Sequence, residues 1–322
     1  MASIKSWIKA SRLRTLPLAM SGILMGAALS YLNNGFNPKV TILAIVTALF
    51  IQIFSNFAND YGDSQKGTDN QHRVGPKRTV QSGEISPLQM KVGMIVLIVL
   101  SLATGIWLVA EGTKGLDMTT FFLFLAFGIV ALIAAYRYTA GSNPYGYAGL
   151  GDVAVFLFFG LLPVVGTYFL NTHQIDLELF LPAVSIGLFS TGVLNLNNMR
   201  DIENDRNSGK NTVVVRMGAA NAKIYHSLLI LLGMLATLIF SSLNSTSTYQ
   251  WIFLLSFPLF LSDLIQINKI SVARKFDPFL KKLSPVSYTH LRAHETEATI
   301  SYAVFCLKKF FFNDTATTEI YT

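Results

Sequence analysis

The stretch Asn197–Arg216, NNMRDIENDRNSGKNTVVVR, stands where a long apolar run stops, and the fold turns on how it is read. Asp201 and Asp205 are four residues apart, so on a helix they share one face about one turn from each other. Carboxylates so placed repel unless positive charge lies between them. Around them stand Asn197, Asn198, Arg200, Arg206, Lys210 and Arg216. Alone, the stretch reads equally well as the solvated end of a helix. The apolar run before it, Leu179 to about Asn197, is near the ~20 residues that a bilayer crossing needs.

Composition extends that reading to the whole chain. Hydrophobic residues make up 52% of the 322 and charged residues 13%, with a mean hydropathy of +0.46. That is too apolar for a soluble domain and predicts an all-α, polytopic membrane helix bundle. Met1–Thr15 is basic and amphipathic, and no small-residue cleavage site follows the first apolar run, so no signal peptide is read. The net charge of +7 sits in inter-helix loops without an aromatic-rich module, which argues against nucleic acid as a partner.

Eight spans are predicted: Leu16–Leu32, Val40 to about Phe57, Val92–Ala110, Thr119–Tyr138, Val153–Leu170, Leu179–Asn197, Ile224–Phe240 and Trp251–Ile267. A short interfacial helix precedes them. Basic residues alternate with the loops. One side carries Lys5, Lys9, Arg12 and Arg14, then the clusters after spans two, six and eight, with Arg137 after span four. The other side carries only Lys39 and Lys114. The positive-inside rule places the N-terminus and the long loops in the cytoplasm, which for a bacterial chain means the inner membrane.

Beyond Ser284 the sequence changes character. Val286–Thr296 (VSYTHLRAHET), Ile300–Lys309 (ISYAVFCLKK) and Asn313–Thr322 (NDTATTEIYT) read as in-frame translations of common sequencing adapters. Residues 285–322 are therefore set apart from a membrane domain at 1–284, the alternative being a natural amphipathic tail. His290, His294 and Cys306, the chain's one cysteine, go with them. The expectation is a domain truncated at this junction. Native codons continuing past Ser284 in the genomic locus would overturn it.

The end of span two repeats the design of the opening stretch. In NFANDYGDSQKGTD, Asn56, Asp60 and Asp63 share a helical face, Asn59 precedes Asp60, and Asp69 lies just past Gly67 on a loop. Lys66 and the string Lys77-Arg78-Thr79-Val80 follow. After span six, Asn197, Asp201 and Asp205 are followed by Lys210-Asn211-Thr212-Val213. The match suggests an internal duplication with both copies on one side of the membrane. Magnesium takes oxygen ligands and binds through one or two carboxylates plus phosphate oxygens. Lys and Arg neutralise the remaining phosphate charge. Two facing carboxylate clusters below basic loops therefore suit a diphosphate bound through Mg²⁺, with an apolar groove for a hydrocarbon tail.

NDYGD with its later Gly-x-Asp, NNMRDIENDRNSGKNTVVVRMG, and YTAGSNPYGYAGLGD before span five resemble the motifs of the membrane-embedded, UbiA-type aromatic prenyltransferases. Over Ser11 to Lys282 the resemblance is greatest to the branch that prenylates 1,4-dihydroxy-2-naphthoate in menaquinone synthesis. Asp69 comes two residues later than the usual fourth position of the first motif, a spacing that fits this branch. The resemblance implies a nine-helix bundle, eight of whose helices are present, with a cytoplasmic loop cap over a central cavity. It implies Asp60, Asp63, Asp201 and Asp205 as catalytic Mg²⁺ ligands, joined by Asp69 and supported by Asn56 and Asn197. Lys66, Lys77, Arg78, Arg137, Lys210 and Arg216 become candidates for the diphosphate, and Asn59, Asn198 and Tyr138 candidates for the cavity wall. The implied reaction joins a polyprenyl diphosphate to the naphthoate carbon that bears the carboxylate, with loss of CO₂ and diphosphate. Arg200 or Arg14 would anchor that carboxylate.

Two readings stand beside this one. A 4-hydroxybenzoate-type prenyltransferase would share every diphosphate residue. A transporter would need ionisable residues within its spans, whereas here nearly all charge lies at one set of helix ends.

Overall fold

A computed structural model describes residues 2–69, 74–244, 248–280 and 283. The tail at 285–322 and the loop positions 70–73 lie outside the described residues. Helix α1 (Ile4–Ser11) starts at Ser3, whose hydroxyl accepts the N–H of Ser6. It presents exposed Ile4 and Ile8 beside Lys5 and Lys9, as an interfacial helix should. There follow α2 (Leu16–Leu32), α3 (Pro38–Lys66), α4 (Pro87–Gly112), α5 (Met118–Arg137), α6 (Gly151–Thr172), α7 (Phe180–Asn207), α8 (Val213–Leu243) and α9 (Phe257–Lys269). Among the described residues, eight helical segments are long and apolar enough to cross a membrane, α1 counting with α2 and the turn before α9 with α9. The protein is an all-α polytopic membrane bundle.

Local chemistry sets where these helices begin. Asn37 Oδ1 accepts the N–H groups of Lys39 and Val40, with Pro38 in the first turn of α3. Ser86 and Gln89 form a capping box at α4. Asp117 caps α5 and Thr212 caps α8.

Two helices outrun the predicted spans at the end that matters. Helix α3 has 29 residues and α7 has 28, each about 42 to 44 Å at 1.5 Å per residue, against a hydrocarbon core of about 30 Å. The apolar run ends near Phe57 in one and Asn197 in the other, but helical hydrogen bonding continues. Both aspartate pairs therefore sit on rigid final turns. Helix α3 stops only at Gly67, with φ of 69°. Helix α8 also starts earlier than its span, with a break at Gly218.

The core forms in three places. Phe54, Phe57, Ile85 and Met90 join α3 to α4 beneath α1. Met25, Leu29, Val164, Tyr168 and Ile186 join α2, α6 and α7. Phe189, Leu196, Ile230, Phe260 and Ile267 join α7, α8 and α9, and Phe276, Phe279 and Leu283 pin the following segment onto them. Helices α6 and α7 approach so closely that a Cβ on Gly160 would stand 2.7 Å from the Ala183 carbonyl oxygen. Gly160 lies in a π-helical turn, Phe156–Leu161, within α6. By contrast α5 has no buried residue, and Val92, Val99 and Trp107 of α4 are also exposed. The α4 face is the apolar outside of a lipid-embedded bundle, while α5 also turns Phe124, Phe127 and Leu132 towards an internal cavity.

Candidate active site

Asp60, on the penultimate turn of α3, is 1% exposed. It pairs with Arg12 at the end of α1 and with Arg78 Nη1 at 3.3 Å. Thr79 donates to its second oxygen through Oγ1 at 2.9 Å and through its backbone N–H at 3.3 Å. Asn56, one turn earlier, donates to Ser11 O and Thr15 Oγ1 and fastens α3 to the N-terminal segment. Asp63 accepts from Tyr147 at 2.8 Å. Asp69 lies 3.7 Å from Arg78 Nε, so one guanidinium spans Asp60 and Asp69. Gly62 is there for contact: a Cβ would stand 2.6 Å from the carbonyl oxygen of Thr139.

The second motif is built differently. Arg200 forks onto Asp201 through Nε at 2.9 Å and Nη2 at 2.6 Å, and also reaches Asn197 and Asp277. Asp205 is 3% exposed and lies 3.9 Å from Lys210 Nζ. Asn204 donates to the carbonyl of Thr68 at 2.9 Å and so ties the second motif to the loop of the first. The apparent repeat diverges in its threonines. Thr79 holds a carboxylate, whereas Thr212 caps a helix.

The α5–α6 loop locks the two halves together. Tyr147 carries Lys66 at 5.5 Å and Lys210 at 5.4 Å over its ring, one from each motif. Its backbone oxygen accepts from Asn211, and Arg216 donates to Ala148 O at 2.7 Å. Thr139 donates to Asn59 Oδ1 at 2.9 Å. Burial, then the nearby carboxylates led by Asp152 for Tyr138 and by Asp63 for Tyr147, push both phenols far above their usual range. Burial pushes Tyr145 up to about 12. These tyrosines are hydroxyl donors at any working pH.

A cavity of about 2030 Å³ opens beneath this cluster. Asn56, Asn59, Asp60, Asp63, Lys77, Arg78, Tyr138, Asn197, Asn198, Arg200, Asp201, Asp205 and Lys210 line its polar end. Its apolar end runs between α3 and α6 to Ala44, Val109 and Leu170. Lys66, Asp69 and Arg216 stand behind the wall and hold loops in place. Arg137, the last residue of α5, is exposed and outside the lining. Arg14 and Arg200 both line the cavity, and Arg200 pairs with Asp201 and Asp277. Sequence reasoning missed Arg12, Thr68, Tyr147, Asn204 and Asp277. The last carried a signal, as an isolated acid in a basic segment.

The donor set fits Mg²⁺. Asp60, Asp63, Asp69, Asp201 and Asp205 are all at most 8% exposed, and Asn204 Oδ1 is a buried oxygen with no hydrogen-bond donor. These are hard oxygen ligands. Among the described residues no three acids or histidines are already gathered at a metal position. Asp60 pairs with Arg12 and Arg78, Asp201 with Arg200 and Asp205 with Lys210, while Asp63 accepts from Tyr147.

The profile of the UbiA prenyltransferase family matches residues 19–281. The chain is 42% identical over 286 residues to a 1,4-dihydroxy-2-naphthoate octaprenyltransferase of Haemophilus influenzae, covering 88% of this chain and 92% of that one. It is 43% identical to the Escherichia coli protein of the same name, covering 85% and 87%. A UbiA homologue of Archaeoglobus fulgidus, solved with GPP and Mg²⁺, superposes with a TM-score of 0.57 at 17% identity, covering 90% and 99%. The chain belongs to the UbiA prenyltransferase family.

Proposed function

We propose that this chain transfers a polyprenyl group from polyprenyl diphosphate to 1,4-dihydroxy-2-naphthoate, releasing CO₂ and diphosphate and giving demethylmenaquinol. One observation carries the reading: two sets of buried aspartates face the polar end of a cavity whose other end is a long apolar pocket. The naphthoate as acceptor follows the relatives named above. The excess of basic residues on the loops at that end supports a site that faces the cytoplasm.

The prenyl tail lies along the apolar wall, and the diphosphate lies among the aspartates. Asp60, Asp63, Asp201 and Asp205, with Asp69 nearby, would hold Mg²⁺, which when bound would supply stabilisation of the negative charge on the departing diphosphate. Arg12, Arg78, Lys77 and Lys210 donate to phosphate oxygens. The carbon–oxygen bond of the prenyl diphosphate breaks and its electron pair leaves with the diphosphate. Apolar residues such as Phe158, Phe159 and Leu162 keep water from the allylic cation. The naphthoate carbon bearing the carboxylate forms the new carbon–carbon bond. Its bond to CO₂ then breaks, and that pair restores the aromatic ring. No strong protein base is needed, and Arg14 holds the acceptor carboxylate until it departs.

Membranes containing the protein should prenylate dihydroxynaphthoate with Mg²⁺ and stop when EDTA is added. Prenylation of 4-hydroxybenzoate but not dihydroxynaphthoate would overturn the acceptor assignment. Turnover undiminished by EDTA would overturn the metal assignment.

A further inference from the structure

Arg200 is the most deeply buried cation of the site, with its side chain 1% exposed, and two carboxylates share it. Its fork rests on Asp201 at 2.9 and 2.6 Å. Its Nη2 also reaches Asn197 Oδ1 at 2.7 Å, and Nη1 reaches Asp277 Oδ1 at 3.0 Å. Asp277 follows the turn Ala273–Phe276, beyond α9. Phe276 and Phe279 hold that turn in the core against α7, so the carboxylate is fixed from both sides. Asp277 lines the same cavity as the aspartate motifs and is 35% exposed.

A carboxylate that accepts both arms of a guanidinium fork has few lone pairs left. For Asp201 to engage a divalent cation, that fork must open. A buried guanidinium left short of an anion is strongly unfavourable. Asp277 supplies a second anion on the opposite nitrogen.

We propose that Asp277 is a positioning residue for the second aspartate motif: it holds Arg200 when Asp201 turns to a divalent cation. This rests on reading the site as a Mg²⁺–diphosphate site. Arg200 keeps its proton and its burial throughout, and only its share between Asp201 and Asp277 changes. Asp277 need not touch substrate or cation.

The test is Mn²⁺ binding to the purified, substrate-free full chain in detergent, followed by electron paramagnetic resonance. Asp277→Asn should weaken binding by about tenfold, and Asp277→Glu should recover most of it. In an Arg200→Gln background Asp277→Asn should add nothing, because the residue acts through Arg200. Equal Mn²⁺ affinity in wild type and Asp277→Asn overturns the proposal, and so does a lowered unfolding temperature with affinity unchanged. The same loss in the Arg200→Gln background also overturns it, since Asp277 would then act on the cation directly. Wild type that binds no Mn²⁺ even when inorganic diphosphate is added would instead overturn the underlying reading of the site.

Discussion

Asp60 shows how much of the site is held by residues remote in sequence. Its own position was legible, because Asn56, Asp60 and Asp63 fall on one helical face by spacing alone. Arg12 lies 48 residues away and Asp277 lies 77 residues from Arg200. No local pattern links such pairs, and only packing of α1 on α3, and of the final segment on α7, brings them together. Asp60→Asn keeps the shape and removes the charge. Prenyl transfer should fall by at least ~100-fold in kcat/KM, an effect of about 3 kcal/mol, with the amount of protein in the membrane unchanged. Retained Mg²⁺-dependent turnover in quantitative membrane assays would contradict the assignment. Gly62→Ala tests packing at the same place. The added methyl meets the Thr139 backbone, and overpacking costs typically about 1–3 kcal/mol. The unfolding temperature in detergent should drop, and an unchanged value would show that the contact yields freely.

At the scale of elements, spans were legible from hydropathy but their ends were not. Apolar runs stop near Phe57 and Asn197, whereas helices α3 and α7 continue because their polar last turns find partners in Arg12, Thr79, Tyr147 and Arg200. The α5–α6 loop was legible as a motif but not as a clamp, since its role depends on one lysine at the end of α3 and another in the α7–α8 loop. Its tyrosines make a pH prediction. Phenols ionise near pH 10 in the unfolded chain, while Tyr145 in the fold is pushed up to about 12 and Tyr138 and Tyr147 lie higher still. The folded state thus keeps protons that the unfolded state releases. This contribution is intact below pH ~10 and is lost as pH rises from there towards the folded values. Thermal unfolding across pH 9 to 12 should show stability falling above pH ~10, less steeply in Tyr147→Phe. Ultraviolet titration should find the three phenols protonated where exposed tyrosines have ionised. The α6–α7 contact predicts further that Gly160→Leu prevents assembly, read as loss of a monodisperse peak in gel filtration, while a folded variant would mean the helices can part.

At the scale of the molecule, the bundle brings both overrunning helix ends to one mouth, with the apolar cavity behind them. From Asp60 to Ala44 the α3 wall runs sixteen residues, about 24 Å at the helical rise, deep enough to make chain length a property of the wall. Ala48 lines that wall. Ala48→Phe should shorten the longest prenyl diphosphate accepted while leaving a ten-carbon donor in use, as product chromatography would reveal. Composition and loop charge made the membrane bundle legible, because lipid exposure selects apolar residues along the outer faces of α4 and α5. A central cavity was expected from the resemblance, but its walls were not legible, because they are defined by which faces fail to meet. This cavity suits one chemistry, replacement of a carboxylate by a prenyl group. The direct test supplies carboxyl-labelled 1,4-dihydroxy-2-naphthoate and a polyprenyl diphosphate to the purified protein with Mg²⁺, and counts labelled CO₂ against prenylated product. One CO₂ should be released per product, and none without the diphosphate. Prenylated product that keeps its label, or no product from this acceptor, would contradict that chemistry.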